Sequence, residues 1–553
     1  MTERVLVAVA WPYANGPLHL GHIAGAYLPA DIFKRYHRAV GNEVLMISGS
    51  DQHGTPITIT AEQEGKQPGE IAERYHSQFL ESWQALGISF DLFTTTGTAN
   101  HAQVVQDVFL TLLDKGCIYR NTVFQPLCPQ CQRFLPDRYV EGTCPYCGFS
   151  KARGDQCDGC GRPLNPADMA DARCRLCGTR SRFEESEHFF FRLTEFRYKL
   201  LEWLKPKTFW RQDVLNFTTR YLEEGLKDRA ITRDIGWGVP VPVAGFENKR
   251  IYVWFEAVIG YLSATKEWAV SGGDSERWRS FWQDEGTRSY YFIGKDNIPF
   301  HTIIWPAMLM GYGGLNLPYD VPANEFLTIE GKKLSTSRNW AVWLPDYLSR
   351  YDPDPLRYLL SINMPETGDS DFSWREFFRR NNDELVATYG NLVNRVLTLV
   401  YRNFDRSVPP PGELDDGSRD IMKAAELAVG QVGELIGACR FKAAITAAMA
   451  LAQAANRYLD YRSPWKVIKE DKPAAAGPLY VAMYVISCLK TVLYPFLPFS
   501  SQKLHRLLSF EGDVEGCGWK LQRPEPGQKL PEPEPLFSKL EERLVEEESS
   551  RLG

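Results

Sequence analysis

Two short polar motifs, about 310 residues apart, each come directly after an apolar run, and this arrangement narrows the folds open to the chain. Near the start, Val5-Leu6-Val7-Ala8-Val9-Ala10 leads into Trp11-Pro12-Tyr13-Ala14-Asn15-Gly16-Pro17-Leu18-His19-Leu20-Gly21-His22. Far downstream, Phe326-Leu327-Thr328-Ile329 leads into Glu330-Gly331-Lys332-Lys333-Leu334-Ser335-Thr336-Ser337-Arg338. Short apolar runs that end in polar loops read as buried strands, and the carboxyl ends of such strands are where open α/β sheets bind ligands. The first loop offers two imidazoles at a helix start, and the second offers Lys, Ser and Thr. Together they suit a triphosphate.

The chain has 553 residues, too many for one core, so several domains are expected. A net charge of −6 argues against a surface coated in positive charge, yet it leaves room for a local basic face on nucleic acid. No basic segment followed by a long apolar stretch opens the chain, so a cytoplasmic location is expected. The longest apolar candidate, Leu479 to Phe499, is interrupted by Lys490 and Pro495 and reads as a buried bundle helix, with no membrane partner. Of twelve cysteines, eight form four Cys-x-x-Cys pairs: Cys128/Cys131, Cys144/Cys147, Cys157/Cys160 and Cys174/Cys177. Without a secretion signal, such clustering indicates metal and not disulfides. Each pair supplies two thiolates from one tight turn, and two pairs complete a tetrahedral Zn²⁺ site, so two closed structural zincs are expected. Spacing alone leaves their pairing open.

Strand and helix patterns alternate over residues 1–115 and resume over 231–330, with the cysteine-rich insertion of 116–230 between them. The expected fold is therefore α/β, a doubly wound parallel (Rossmann-like) sheet with an inserted zinc-knuckle domain. Residues 331–384 carry the Lys-Leu-Ser-Thr-Ser loop. From 385 to 553 strand signals vanish and Ala-rich segments such as 443–452 suit an all-α bundle, ending in a Pro- and Glu-rich strap or mobile tail.

The two motifs resemble the His-x-Gly-His and Lys-Met-Ser-Lys-Ser signatures of the class I aminoacyl-tRNA synthetases, and the surrounding segments are similar to the methionine branch of that family. The resemblance covers nearly the whole chain. It implies that His19 and His22 contact ATP and stabilise the transition state, with Gly21 removing a side chain where the nucleotide approaches. It gives Lys333, Ser335, Thr336 and Ser337 to the phosphates, with Lys333 counted as catalytic. Thr336 departs from the family, which carries Lys there, so Lys332 or Arg338 is left to supply the cation. Gly294-Lys295-Asp296 matches a further element: Asp296 accepts from ribose hydroxyls and Lys295 is a phosphate cation. Mg²⁺ is expected with the ATP.

The resemblance also implies a methionine pocket of Ala10, Tyr13, Trp254, Ala257, Tyr261, Ile293 and His301, with Asp51 pairing the substrate ammonium. A thioether favours such aromatic and apolar walls. Glu256 and Val258 stand where bacterial relatives carry Asp and Pro. For the zincs the resemblance implies nesting, Cys144, Cys147, Cys157 and Cys160 on an inner ion and Cys128, Cys131, Cys174 and Cys177 on an outer one. Ser463-Pro464-Trp465-Lys466 is similar to the anticodon-reading element, with Trp465 stacking on a base and Arg402 as a further contact; a different register makes Asn391 and Arg395 the pair. On this resemblance residues 331–384 are a stem-contact region and 385–553 the anticodon-binding domain. The implied activity is ATP-dependent ligation of L-methionine to tRNA(Met), by a monomer. A cysteine-specific synthetase would need a thiol-ligated zinc in its substrate pocket, and a tRNA-binding relic would not need the intact His19, His22 and Asp51.

Overall fold

The computed structural model describes residues 2–135, 139–154, 157, 159–160, 164, 166–335 and 339–553. Thr336, Ser337 and Arg338 of the second motif therefore lie outside the described residues. Five strands form the central sheet: β1 (Arg4–Val9), β2 (Glu43–Ser50), β3 (Leu92–Thr95), β4 (Arg288–Gly294) and β5 (Ala323–Asn324). Their order is β5-β4-β1-β2-β3, and every neighbouring pair is parallel. Both faces are covered, which is why β1 reads as an unbroken apolar run and not an alternating one. Val5, Val7 and Val9 pack on the side of the helix Leu28–Val40 and the C-terminal helices. Leu6 and Ala8 pack toward the helices Ala99–Asp114 and Val253–Ser271. The winding reverses between β1 and β4, so a crevice opens at the carboxyl ends of those two strands.

The insertion leaves the sheet through a long antiparallel ribbon, Ile118–Cys128 against Arg182–Phe191. Beyond it lies a three-stranded sheet of Val140–Thr143, Ala152–Arg153 and Ala170–Cys174. The core here is small, and four of its ten buried members are cysteines: Cys128, Cys144, Cys157 and Cys174. So few apolar side chains cannot offset the entropy of ordering this region unaided.

The strand before the second motif departs from expectation. Leu327–Ile329 is not part of the parallel sheet; it lies in a separate three-stranded sheet, antiparallel to Lys332–Lys333 and parallel to Ser370–Phe372. A two-residue turn joins the hairpin, with Glu330 at φ 49° and Gly331 at φ 73°. Such turns match the strand twist but strain a residue with a Cβ. Here the Glu330 carboxylate accepts from Trp374 N–H at 2.9 Å, and Asp371 accepts from Gly331 N–H at 2.8 Å.

The C-terminal part is helical. Asp416–Gly437, Phe441–Arg462 and Lys472–Leu493 pack together as a bundle. Among the described residues Lys472–Leu493 is the one helix long and apolar enough to cross a membrane, and 89% of its apolar window is buried in the bundle. Arg357, fully buried, welds the bundle to the sheet domain by donating to Asp31 at 2.7 Å and to the carbonyls of Pro495, Phe496 and Leu86. The Pro-rich tail is a packed strap: it buries Leu530 and Phe537, and Glu548 accepts from Arg350 and Tyr351.

Candidate functional site

The crevice between β1 and β4 gathers residues that are far apart in sequence. After β1 the chain turns at Pro12, and its Pro12 carbonyl accepts from Asp51 N–H while Ala14 N–H donates to the Asp51 carbonyl. This pairing brings Tyr13 beside Asp51, just beyond β2. At Leu20 the chain enters a helical run, Leu20–His22, then a π-turn Ile23–Tyr27, then Leu28–Val40. His19 and His22 lie at its start with their rings stacked, centroids 3.8 Å apart. His19 N–H donates to His22 Nδ1 at 3.1 Å, so a neutral His22 carries its proton on Nε2. His19 Nδ1 is buried without a partner among the described residues. Burial pushes His19 down to about 4, and burial and its neighbour hold His22 well below the usual imidazole range. Both rings are neutral donors at pH 7, at a helix start whose free N–H groups favour anions.

The second motif packs directly on the first. Leu20 N–H donates to Val342 O at 3.2 Å and Leu344 N–H to Leu18 O at 2.8 Å. A Cβ on Gly21 would lie 2.6 Å from Leu334 Cδ1 and 3.0 Å from the His19 ring. The close approach at Gly21 is thus made by the protein's own Leu334 and His19, where the sequence reading placed the nucleotide. Lys333 is exposed on the hairpin, and Ser335 pairs through its backbone with Trp340. Lys332 is set apart, its ammonium 4.3 Å from the centre of the Trp340 ring. At the end of β4 the Asp296 side chain is exposed. Lys295 is already paired, 2.5 Å from Glu325 and 2.8 Å from Asp369, so its charge is countered before any phosphate arrives.

An aromatic recess adjoins this cleft. Trp254 Nε1 donates to the Tyr13 hydroxyl at 2.9 Å, and Trp254 meets Phe300 edge-on at 4.9 Å. Two turns along the same helix, the Tyr261 hydroxyl bonds His301 Nε2 at 2.8 Å, while His301 Nδ1 donates to Asn297 O at 2.9 Å. That tautomer makes Tyr261 the donor, and burial holds His301 down to about 4. The polar ends are used internally, which leaves ring surface and no charge. Ile293 is fully buried at the end of β4, Ala257 is half-buried, and Tyr27 holds the Ala10 carbonyl at 2.7 Å. Two residues escaped the sequence reading of this pocket: Trp11, whose ring fills the space a Cβ would take at Gly49 and Gly260, and His53, whose buried partner Glu256 the sequence marked only as a departure from bacterial relatives. His53 was within reach, since it lies in the same Ser-Asp-Gln-His-Gly segment as Asp51.

The eight cysteines gather as two groups of four, Cys128, Cys131, Cys174 and Cys177, and Cys144, Cys147, Cys157 and Cys160. Sulfur–sulfur contacts are 3.4 to 3.9 Å in the first and 3.6 and 3.9 Å in the second. A tetrahedral zinc with Zn–S of about 2.3 Å spaces its thiolates about 3.8 Å apart, so both donor sets fit that metal.

Far from the cleft, the bundle carries a polar groove with a cavity of about 640 Å³, lined among others by Asn391, Arg395, Asn456, Arg457 and Asp460. Arg395 reaches Asn456 at 3.1 Å and Asp460 at 3.3 Å, and its guanidinium lies 4.8 Å from the Trp465 ring centre. The structure thus brings Trp465 together with Arg395, which shares the groove lining with Asn391. Arg402 is exposed two helical turns beyond Arg395, about 10 Å along the axis, and lies outside the groove lining.

A parallel sheet of this order, with a paired-histidine helix start on one side of its crevice and a lysine hairpin packed onto it, defines the catalytic core of a class I tRNA synthetase. Family models match the chain along most of its length: tRNA synthetases class I (M) over residues 5–397, and the anticodon binding domain of methionyl tRNA ligase over 408–553. Curated relatives include the methionine--tRNA ligase of Dehalococcoides mccartyi strain 195, 62% identical over 553 residues and covering all of both chains. That of Thermomicrobium roseum is 55% identical, covering all of this chain and 99% of the relative. Among solved structures, Mycobacterium tuberculosis methionyl-tRNA synthetase in complex with methionyl-adenylate superposes with a TM-score of 0.81 at 27% identity, covering 97% of this chain and 100% of that one. The chain belongs to the methionine family of class I tRNA synthetases.

Proposed function

We propose that the protein is an ATP-dependent methionine--tRNA ligase, which joins L-methionine to ATP as methionyl adenylate and then passes the methionyl group to the 3′ end of tRNA(Met). The observation that carries this reading is the meeting of two motifs about 310 residues apart, with Leu334 seated on Gly21 beside His19. A carboxylate oxygen of methionine attacks the α-phosphorus, forming an O–P bond as the bond to pyrophosphate breaks. His19 and His22 donate N–H groups to phosphate oxygens as charge develops, and Lys333 on the hairpin offers an ammonium to the departing pyrophosphate. Ser335, Thr336 and Ser337 complete the phosphate loop, and Lys332 and Arg338 are the cations available in place of the family's fourth-position Lys. Asp296 accepts from ribose hydroxyls. Lys295 reaches phosphate only by exchanging its carboxylate partners. Asp51 takes the substrate ammonium, while Ala10, Tyr13, Trp254, Ala257, Tyr261, Ile293 and His301 enclose the thioether.

Mg²⁺ enters with ATP as its counter-ion. Two structural zincs, one on each group of four cysteines, hold the insertion folded and have no open position for substrate. Metal analysis is expected to find two zincs per chain. Strong chelation then loosens the ribbon Ile118–Cys128 and Arg182–Phe191 and the strand Val140–Thr143 in hydrogen exchange while β1 and β2 keep their protection. On the tRNA side, Trp465 and Arg395 read the anticodon, and a monomer carries both sites.

The experiment that tests the whole reading is amino-acid-dependent ATP–pyrophosphate exchange on the purified chain, with cysteine, leucine and homocysteine as competitors. Exchange driven by methionine is the expected result. Exchange with cysteine alone, or with no amino acid in a folded protein, overturns it.

A further inference from the structure

Beneath the proposed ammonium site lies a buried pair that the adenylation chemistry leaves unused. Glu256, on the helix Val253–Ser271, has no exposed surface. One of its carboxylate oxygens accepts from His53 Nδ1 at 2.5 Å, and the other has no partner among the described residues. The backbone N–H of His53 in turn donates to Asp51 Oδ1 at 3.1 Å. The segment is held rigidly: Gln52 N–H donates to Thr96 Oγ1 at 2.9 Å, and the Trp237 indole donates to the Gln52 carbonyl at 2.6 Å. Trp237 also closes over the His53 ring edge-on at 5.6 Å. Gly54 follows at φ 94°, with Val253 packed against it.

Two carboxylates and one imidazole therefore share a buried recess. We propose that His53 is a positioning residue that balances the charge of Glu256, so that the Asp51 carboxylate remains free for the ammonium of methionine. This rests on the assignment of Asp51 given above. With the recess empty, one cation faces two carboxylates; methionine brings the second cation, and the charges close. Burial and the nearby Glu256 both push the Asp51 carboxyl well up, and although burial works against an imidazolium, Glu256 raises His53.

Among the described residues, the imidazole and phenol groups around the recess supply no positive charge, and the nearby Arg233 lies over the Tyr252 ring at 3.8 Å and donates to the Ala230 and Thr232 carbonyls. His101, from the helix Ala99–Asp114, is bonded to Ser263 at 2.8 Å and held by burial down to about 3. Tyr13 is engaged by Trp254, and Tyr261 and His301 by each other. If His53 cannot carry charge, the recess loses the one cation beside its two carboxylates, and Asp51, pushed up by burial and by Glu256, binds a proton. The ammonium then meets half the charge it needs.

The test is ATP–pyrophosphate exchange by the full chain across neutral pH, reading KM for methionine and for ATP separately. His53→Gln is expected to raise the methionine KM about tenfold or more near neutrality, with a smaller change for ATP. It should also move the acid limb of kcat/KM for methionine to higher pH. Adding Glu256→Gln to that variant removes the stranded charge and is expected to bring the methionine KM most of the way back. A packing role predicts the reverse, with two losses that add. The proposal is overturned if the double variant binds methionine no better than His53→Gln, if KM for ATP rises equally, or if the acid limb stays in place. Should His53→Gln fail to fold, recovery of a folded, methionine-binding enzyme in the double variant supports the same charge balance, and failure of both rejects it. Asp51→Asn separates the two layers. An unmoved methionine KM there refutes Asp51 as the ammonium partner, whereas a raised KM in Asp51→Asn with none in His53→Gln refutes this inference alone.

Discussion

The cleft at the end of the parallel sheet and the groove between the C-terminal helices hold their polar groups by opposite means. In the cleft, His19 and His22 sit where the backbone breaks from β1 into a helix, and each is fixed by a stacked ring or a backbone N–H within one turn. Burial keeps them uncharged. In the groove, Arg395 projects from the helix Asn391–Asn403 and, among the described residues, is steadied at its tip by Asn456, Asp460 and the face of Trp465. The difference follows from what each site must meet. A charge that exists only in a transition state favours donors that are already in place, because any rearrangement is added to the barrier. A large, flexible nucleic acid can be gripped by a long cationic side chain that settles after contact, since stacking and charge both tolerate small shifts.

This contrast predicts that the two regions separate cleanly in kinetics. The largest effect is expected from His22→Ala, which should lower methionine-dependent exchange about 10²–10³-fold through loss of one transition-state donor, while tRNA affinity stays near wild type. Trp465→Ala or Arg395→Ala should lower kcat/KM for tRNA about 10–100-fold, the worth of one stacked base, and leave exchange unmoved. A fall in exchange with Arg395→Ala would break the contrast and tie the groove to the cleft. Acid sharpens it further. Because burial places the His19 titration at about 4, lowering pH should not protonate this donor until well below 6.5, so kcat at saturating methionine and ATP keeps an acid limb below the usual imidazole range. An acid limb of kcat near 6.5 that disappears in His19→Asn would show that His19 is not held neutral.

The same contrast explains what the sequence reveals. Motifs in the cleft are contiguous because one turn at a strand end must deliver several groups at once, so Trp11 to His22 and Lys332 to Ser335 are recognisable as words. The cysteine knuckles are legible for the same reason, since a Cys-x-x-Cys turn is a complete half-site. What escapes is whatever depends on two elements meeting. Leu327–Ile329 has the apolar pattern of a sheet strand, but pattern cannot tell which sheet it joins, and Ser370–Phe372 claims it. Gly21 looks like room for a nucleotide until Leu334 is folded onto it. Lys295 reads as a free cation because neither Glu325 nor Asp369 is near it in sequence. On the bundle, residues on one helix face recur every three or four positions and several Arg fit, so spacing alone favours no single one.

Arg402 is where this limit bites, and it yields the smallest predicted effect. It lies seven residues after Arg395, nearly the same direction on the helix, which is why a sequence reading admits both registers. The axis carries it about 10 Å away, beyond the groove lining and into solvent. A guanidinium there can meet a phosphate only as an exposed, screened charge, worth at most about 1 kcal/mol. Arg402→Ala is therefore expected to change kcat/KM for tRNA by less than about fivefold, an effect that fades as salt is raised. A loss as large as that of Arg395→Ala, persisting at high salt, would move the recognition site two turns along the helix and make the groove a supporting surface.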